Sequence, residues 1–367
     1  MTTHRLLDSL ALAPLALAAV AALAPAGHAD TLRVPKDHPT IADAVEAAQP
    51  GDVVLISAGE YTEYVRMSDR PDLTIRGVGK VRMLRSEVLA AEFGLDSVPA
   101  FEADDCKGLR IENIRFEGLW TAVDIERCNG LVVEDCRFEG GQEFPALNIF
   151  NCYAFRVTDC RFADLTEAIR AFSVRRGVLE DNEIQRVTTG ITLRASSEMV
   201  VRRNRIADVD TGVRTLEFAA WHEVAANRIT DASVAGIDLE LEGGTVHANV
   251  LRRCADGIRT AGVDGSAADG GTHIAGNRIS QSSGTGLWVG GRGCTVRGNV
   301  VRQSGTVGIR VLSAWNHLVD NKVVQTGGAG ISLEEGANTY ADNTIKKTGG
   351  PAVDDSDPDS NIDMSDA

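Results

Sequence analysis

Glu102, Asp104, Asp124 and Glu126 form two acidic pairs, each split by one apolar residue, in the segments FEAD and VDIE. In an extended chain residues i and i+2 point to the same side, so each pair presents two acids to one face. Like charges brought opposite one another repel. Such a set either raises a carboxyl pKa, which equips a general acid, or holds a hard cation such as Ca²⁺. Glu102, Asp104, Asp124 and Glu126 are therefore candidate metal ligands, and Glu102 and Asp124 candidate catalytic acids. Asp238 and Glu240 make a further same-side pair, their backbones about 7 Å apart, a spacing that suits an inverting carboxylate pair. Arg194, Arg214, Arg259, Trp288 and Arg310 are the candidate ligand-binding residues. A guanidinium grips carboxylate or sulfate through two parallel bonds, and an outward indole offers a flat surface to a sugar ring. The bland alternative is a solvated acidic patch, with Arg214, Asp238 and Arg259 pairing across strands.

What places these residues on one surface is a repeat. Asn182, Asn204, Asn227, Asn249, Asn277, Asn299, Asn321 and Asn343 recur at steps of 22, 23, 22, 28, 22, 22 and 22 residues. Upstream, Cys160, Cys136 and Ile114 hold the same place. A fixed period of this size marks a solenoid whose turns bury their apolar faces against one another. Within each repeat apolar residues alternate over three to five positions, as in Ile309 and Val311, which is a strand period. The sequence predicts an all-β, single-stranded right-handed parallel β-helix solenoid of about a dozen rungs over residues 30–353, inferred from that register. Inward Asn residues then stack as a structural ladder, and Asn204, Asn227 and Asn249 belong in one column. Cys106, Cys128 and Cys152 share a second column, and Cys136 and Cys160 are close enough in register for a disulfide to be weighed.

The flanks read differently. Residues 1–29 carry an early Arg5, an apolar run and small residues before Asp30, the pattern of a signal peptide. No other segment suits a membrane span, so the mature chain is expected to be exported, secreted or periplasmic. Thr40 and Asp43 suit the start of a short helix with Ile41, Ala44, Val45 and Ala48 on one face, a cap for the first coil. The last residues, 354–367, are acidic and read as a disordered tail. The formal charge of −15 argues against a nucleic-acid partner. His222, His247, His273 and His317 fall in register without forming a motif, and each reads as a satisfied or exposed turn residue.

TIADAVEAAQPGDVVLISAGEYTEYV followed by LTIRGVG resembles the entry to the pectin-lyase-like right-handed parallel β-helix superfamily, and the later N-x-I…G-I-x-L units are similar to its generic repeats. The resemblance spans nearly all of residues 31–353. It implies that the sheet bearing the x of G-I-x-L forms a substrate groove. Pectate lyases are similar in carrying carboxylates for Ca²⁺ on this sheet with an Arg nearby as base, which casts Arg170 in that role. The DFIFG and LGRPW segments of pectin methylesterases are absent, as are the NTD and GHG of polygalacturonases and the DPHD of alginate epimerases. The expected function is binding of a polysaccharide, acidic by the arginines that face it, with cleavage by elimination or hydrolysis as the enzymatic extension: a polysaccharide lyase or a glycoside hydrolase. The rival readings are a non-catalytic adhesive scaffold and a periplasmic maturation factor of the nitrous-oxide-reductase assembly type, against which the lack of a Cys, Met or His cluster weighs.

Overall fold

The computed structural model describes residues 29–86, 98–141, 143–262 and 271–365. Nearly all of the expected signal segment lies outside them, as do residues 87–97 and 263–270.

One turn of the coil shows how the sequence makes the fold. Val200–Arg202 lies in what we call sheet 2, and Asn204 turns the corner. Arg205–Leu216 then runs through sheet 3, bends at Asp208 (φ 55°) and continues into sheet 1. Val201, Ile206, Val209 and Val213 point inward and are buried, while Arg202, Arg205, Asp208 and Arg214 alternate outward. The next turn repeats the path at Glu223–Ala225 and Arg228–Glu242, paired in parallel with Arg205 opposite Arg228 and Ile206 opposite Ile229. Identical positions therefore stack. Phe116, Phe138 and Phe162 form such a pile, their ring centroids 4.9 and 4.6 Å apart. The Gly of the G-I-x-L unit has a steric cause, because a Cβ on Gly212 would sit 2.5 Å from the carbonyl oxygen of Gly236 one turn on.

The asparagine column forms as the spacing predicts. The Oδ1 of Asn227 accepts from both the backbone N–H and the side-chain amide of Asn204, each at 3.0 Å, and its own Nδ2 donates to the Val201 carbonyl at 2.8 Å. Asn249 serves Asn227 in the same way. The cysteines use the same geometry with sulfur, since the N–H of Cys106 donates to Cys128 Sγ and that of Cys128 to Cys152 Sγ, both at 3.3 Å. All seven are free, buried thiols, and Cys136 and Cys160 stack without a bond between them.

A second ladder runs just before sheet 2. Cys294, Asn316 and Asn338 donate their N–H groups to Asn316, Asn338 and Asn361. Earlier in that column the acceptors are unlike one another. The N–H of Gly177 bonds Met199 Sδ, and that of Met199 bonds Nδ1 of His222 at 3.2 Å. His222 is 1% exposed, and burial alone lowers its pKa to about 4, so it stands neutral as a ladder acceptor.

At the start, the helix Ile41–Ala47 opens with the Thr40 hydroxyl accepting from Asp43 N–H, and buries Ile41, Ala44 and Val45 against the first strands. At the other end the expectation of a disordered tail is corrected. Val353–Asp355 pairs with Ile331–Leu333, and Ile362–Asp363 with Thr339–Ala341, so the acidic end supplies one more turn. Among the described residues no helix is long and apolar enough to cross a membrane.

Candidate functional site

Sheet 1 carries the candidate residues. Its outward column runs in pairing register through Arg66, Glu102, Asp124, Asn148, Arg170 and Thr192, then Arg214, Asp238, Arg259, Trp288, Arg310 and Ser332. This is the order in which the repeat aligns them.

The four acids stand as a square, Glu102 opposite Asp124 and Asp104 opposite Glu126. The square divides into two unlike halves. Arg127, at the left-handed corner that follows the strand (φ 51°), hydrogen-bonds both Asp104 and Glu126 and reaches Asp105 at 3.1 Å. That half is an ion-paired network. In the other half the Tyr64 hydroxyl donates to Glu102 at 2.5 Å, Arg66 lies 3.4 Å from the same carboxylate, and Asn148 Nδ2 donates to Asp124 at 2.8 Å. Burial pushes the Asp124 pKa up and the neighbouring Glu102 charge adds to it, against the hydrogen bond from Asn148. Tyr64 is pushed to about 12 by burial and by its bond to Glu102. Glu102 and Asp124 thus form a pair in which one carboxyl retains its proton more readily than an ordinary aspartate. Among the described residues no three His, Cys, Asp or Glu side chains converge as a metal site. Arg127 bridges Asp104 and Glu126, so of the four carboxylates expected to hold Ca²⁺ only Glu102 and Asp124 face each other without a cationic side chain between them.

The arginines of sheet 1 are mostly engaged. Arg170 pairs with Glu167 at 2.5 Å, which ties down the residue cast as a base. Arg194 holds Glu217 through two bonds of 2.7 and 2.5 Å and lies 5.3 Å over the Phe172 ring. Arg259 holds Asp238 at 3.1 and 2.6 Å, the cross-strand pairing weighed beside the Asp238–Glu240 carboxylate pair. Arg310 pairs with Glu334 and covers Trp288 at 4.5 Å, which takes one face of that indole. Arg214 alone of these keeps no carboxylate within 4.0 Å among the described residues.

Two aromatic residues had no place in the sequence reading. Trp120 and Phe144 stack with centroids 6.1 Å apart and planes at 28°, and Arg85 lies 4.7 Å over Trp120. Each stands four residues before a site residue, Trp120 before Asp124 and Phe144 before Asn148. That equal offset was the available signal. The pair makes a partly exposed apolar edge where the chain enters sheet 1, beside the Glu102–Asp124 acids.

Residues 100–251 match the family described as right-handed β-helix region, and residues 215–361 match one described as periplasmic copper-binding protein (NosD). No curated protein sequence matches the chain. Similar solved structures include the A-module of a mannuronan C-5 epimerase from Azotobacter vinelandii, at 12% identity over 89% of this chain and 94% of that one, with TM-score 0.53. A surface protein and adhesin of Streptococcus pneumoniae aligns at 13% identity over 83% and 91%, TM-score 0.57. The tailspike of an Escherichia coli bacteriophage, solved with a hexasaccharide, aligns at 10% identity over 88% and 71%, TM-score 0.54. At these identities the likeness speaks for the fold. Among the described residues of 215–361 no three His, Cys, Asp or Glu side chains converge on a site for copper. His222 is spent in the ladder, His247 faces Glu223, and Cys254 and Cys294 are buried singly in the coil.

Proposed function

Since the chain belongs to the right-handed parallel β-helix superfamily, we propose that it is an exported polysaccharide-binding protein whose ligand lies along sheet 1. The Glu102–Asp124 pair is the place where chemistry on that ligand would occur. The observation that carries this reading is the pairing of a proton-retaining Asp124 with an adjoining aromatic edge, Trp120 and Phe144. A sugar ring stacked on that edge would lie where the chain enters the strand of Asp124, a carboxyl able to deliver a proton to a glycosidic or ring-attached oxygen. Glu102, held by the Tyr64 hydroxyl and by Arg66, is the second carboxyl of the pair. This division of labour between two carboxyls follows from their unlike environments. The sugar-handling relatives in the same fold support the reading by analogy. The engaged state of Arg170, Arg194, Arg259 and Arg310 favours a second reading, an adhesive scaffold without turnover, in which sheet 1 binds and does not cleave.

The test is incubation of the protein with neutral and acidic polysaccharides, followed for reducing ends and for unsaturated products. Asp124→Asn should abolish product and leave binding, while Trp120→Ala should weaken binding itself, at a cost of order 1 kcal/mol. Binding without product in every case would establish the scaffold; neither binding nor product would overturn both readings.

A further inference from the structure

Sheet 3 presents its own face to solvent, on strands whose middle residues, such as Ile206, Ile229, Leu251 and Ile279, are buried. The first and third residues of each strand point out. From the turn of Arg205 onward, the first positions hold Arg205, Arg228, Arg278 and Lys322. The turns that lack a cation there supply one at the third position instead, as Arg252, Arg302 and Lys346. Seven successive turns therefore carry one cation each, and their remaining outward positions are Ala, Val, Thr or Ser. All seven cations are exposed, and none has a carboxylate within 4.0 Å among the described residues.

The first half of the same sheet is built otherwise. There Arg115 lies 3.5 Å from Glu117, Arg161 lies 3.3 Å from Glu183, and Arg82 is bound by Glu60 and Glu117. Arg82, Arg115 and Arg161 are thus neutralised where the strands of this sheet carry acids, and from Arg205 the outward strand positions hold no acid. The spacing has a cost, since like charges one strand apart repel, and the alternation between columns relieves only part of it. In a chain of net charge −15 this ribbon stands out from its surroundings.

Its shape selects a ligand. Seven turns at ~4.8 Å give a straight strip of roughly 29 Å, and two outward positions per strand give a width of about 7 Å. Along its middle one border is low, formed by Ala226, Ala248, Gly276 and Gly298 at the asparagine corner, with Arg203 before them and Asp320 and Asp342 after. The other carries Gln281, Gln303 and Gln325 in one exposed left-handed column (φ 58°, 58° and 63°), preceded by Asp208 and by Asp231, which Arg253 pairs, and Gln281 accepts from Arg252 at 2.7 Å. A narrow row of guanidinium groups beside a row of amides fits a single extended chain bearing carboxylates and hydroxyls at intervals, and is too narrow to meet a planar surface. We infer that residues 205–346 of sheet 3 form a binding ribbon for a linear acidic polysaccharide, separate from the sheet 1 site. It accounts for the anionic ligand expected of this protein, whose sheet 1 arginines other than Arg214 are already paired.

The whole protein is titrated by calorimetry with polygalacturonate and with its fully methyl-esterified counterpart, at low and raised salt. Polygalacturonate should bind at least about tenfold more tightly than the ester, with affinity falling as salt rises. The triple variant Arg228→Ser, Arg278→Ser, Lys322→Ser should lose at least about tenfold in affinity and show a shallower salt dependence, with an unchanged melting curve. Arg228→Lys with Arg278→Lys should retain most of the binding, since charge is kept. Polygalacturonate affinity that is unchanged in the Ser triple, or equal for the ester, overturns the ribbon. So does binding to phosphatidylglycerol vesicles with none to polygalacturonate. The ribbon and the sheet 1 proposal fail separately, because Asp124→Asn abolishes turnover at sheet 1 without touching sheet 3.

Discussion

Replacing His222 with Asn gives the sharpest test of the ladder argument. His222 is buried, its Nδ1 accepts the Met199 N–H at 3.2 Å, and its Nε2 lies 3.3 Å from the Ser196 hydroxyl. Burial depresses its pKa to about 4, against 6.5 in an ordinary setting. The unfolded chain therefore takes up a proton near pH 6.5 that the folded chain refuses until about pH 4. The stability this residue contributes is complete above pH 6.5 and is lost as pH falls through that window. Between pH 7 and pH 5 the loss amounts to about 2 kcal/mol, and approaches about 3 kcal/mol at pH 4. Asn at this position preserves the acceptor, as Asn316 does four turns further along the same column, where it takes the Cys294 N–H at 2.8 Å. It cannot titrate. Urea unfolding of both proteins at pH 7 and pH 5 should show the wild type losing about 2 kcal/mol more than the variant on acidification. Any constant cost of the smaller side chain cancels in that difference. Parallel pH dependences would refute the assignment of His222 as a neutral ladder acceptor.

Asn227→Ala should be costlier than an ordinary surface change, because it strands the Asn204 N–H and amide and the Val201 carbonyl at once; a fall of at least about 2 kcal/mol in unfolding free energy is expected by denaturant titration. Glu180, 4% exposed, receives bonds from Arg156, Arg202 and Arg203, so Glu180→Gln should cost about 3 kcal/mol in the same assay and more than Glu217→Gln at the exposed rim. Asp124→Asn should cost little in the same assay, since burial and the neighbouring Glu102 charge already disfavour the ionised form of Asp124 and the Asn oxygen still accepts from Asn148.

The stacking columns were legible in the sequence because the solenoid turns a one-dimensional period into a three-dimensional neighbour list. Knowing that Glu102 precedes Asp124 by one repeat is enough to know that they face each other. Corner residues escape this logic. Arg127 and Glu217 decide which sheet 1 charges are free, yet they sit on left-handed turns where side-chain direction follows from φ and not from alternation. The second ladder was hidden for a different reason. Met199, His222, Cys294 and Asn316 share a geometry but no residue type, so no repeated letter marks the column. The tail misled through composition. Its acids argue for disorder, while Val353 and Asn361 take the positions of Ile331 and Asn338 and carry the turn.

The asparagine ladder also shows what the coil does and does not measure. The step from Asn249 to Asn277 is 28 residues, six more than its neighbours, yet the two bonds across it are 3.0 and 3.0 Å, the same as across the shorter steps. The corner is set by where the chain returns, and the length of the excursion between Gly262 and Gly271 is not counted. Evolution, or an engineer, can therefore exchange that excursion for a foreign hairpin, an epitope or a second binding loop without re-tuning the turns on either side. The solenoid is in this sense a rack with interchangeable fittings, whose turns stay fixed while the number of residues between them changes.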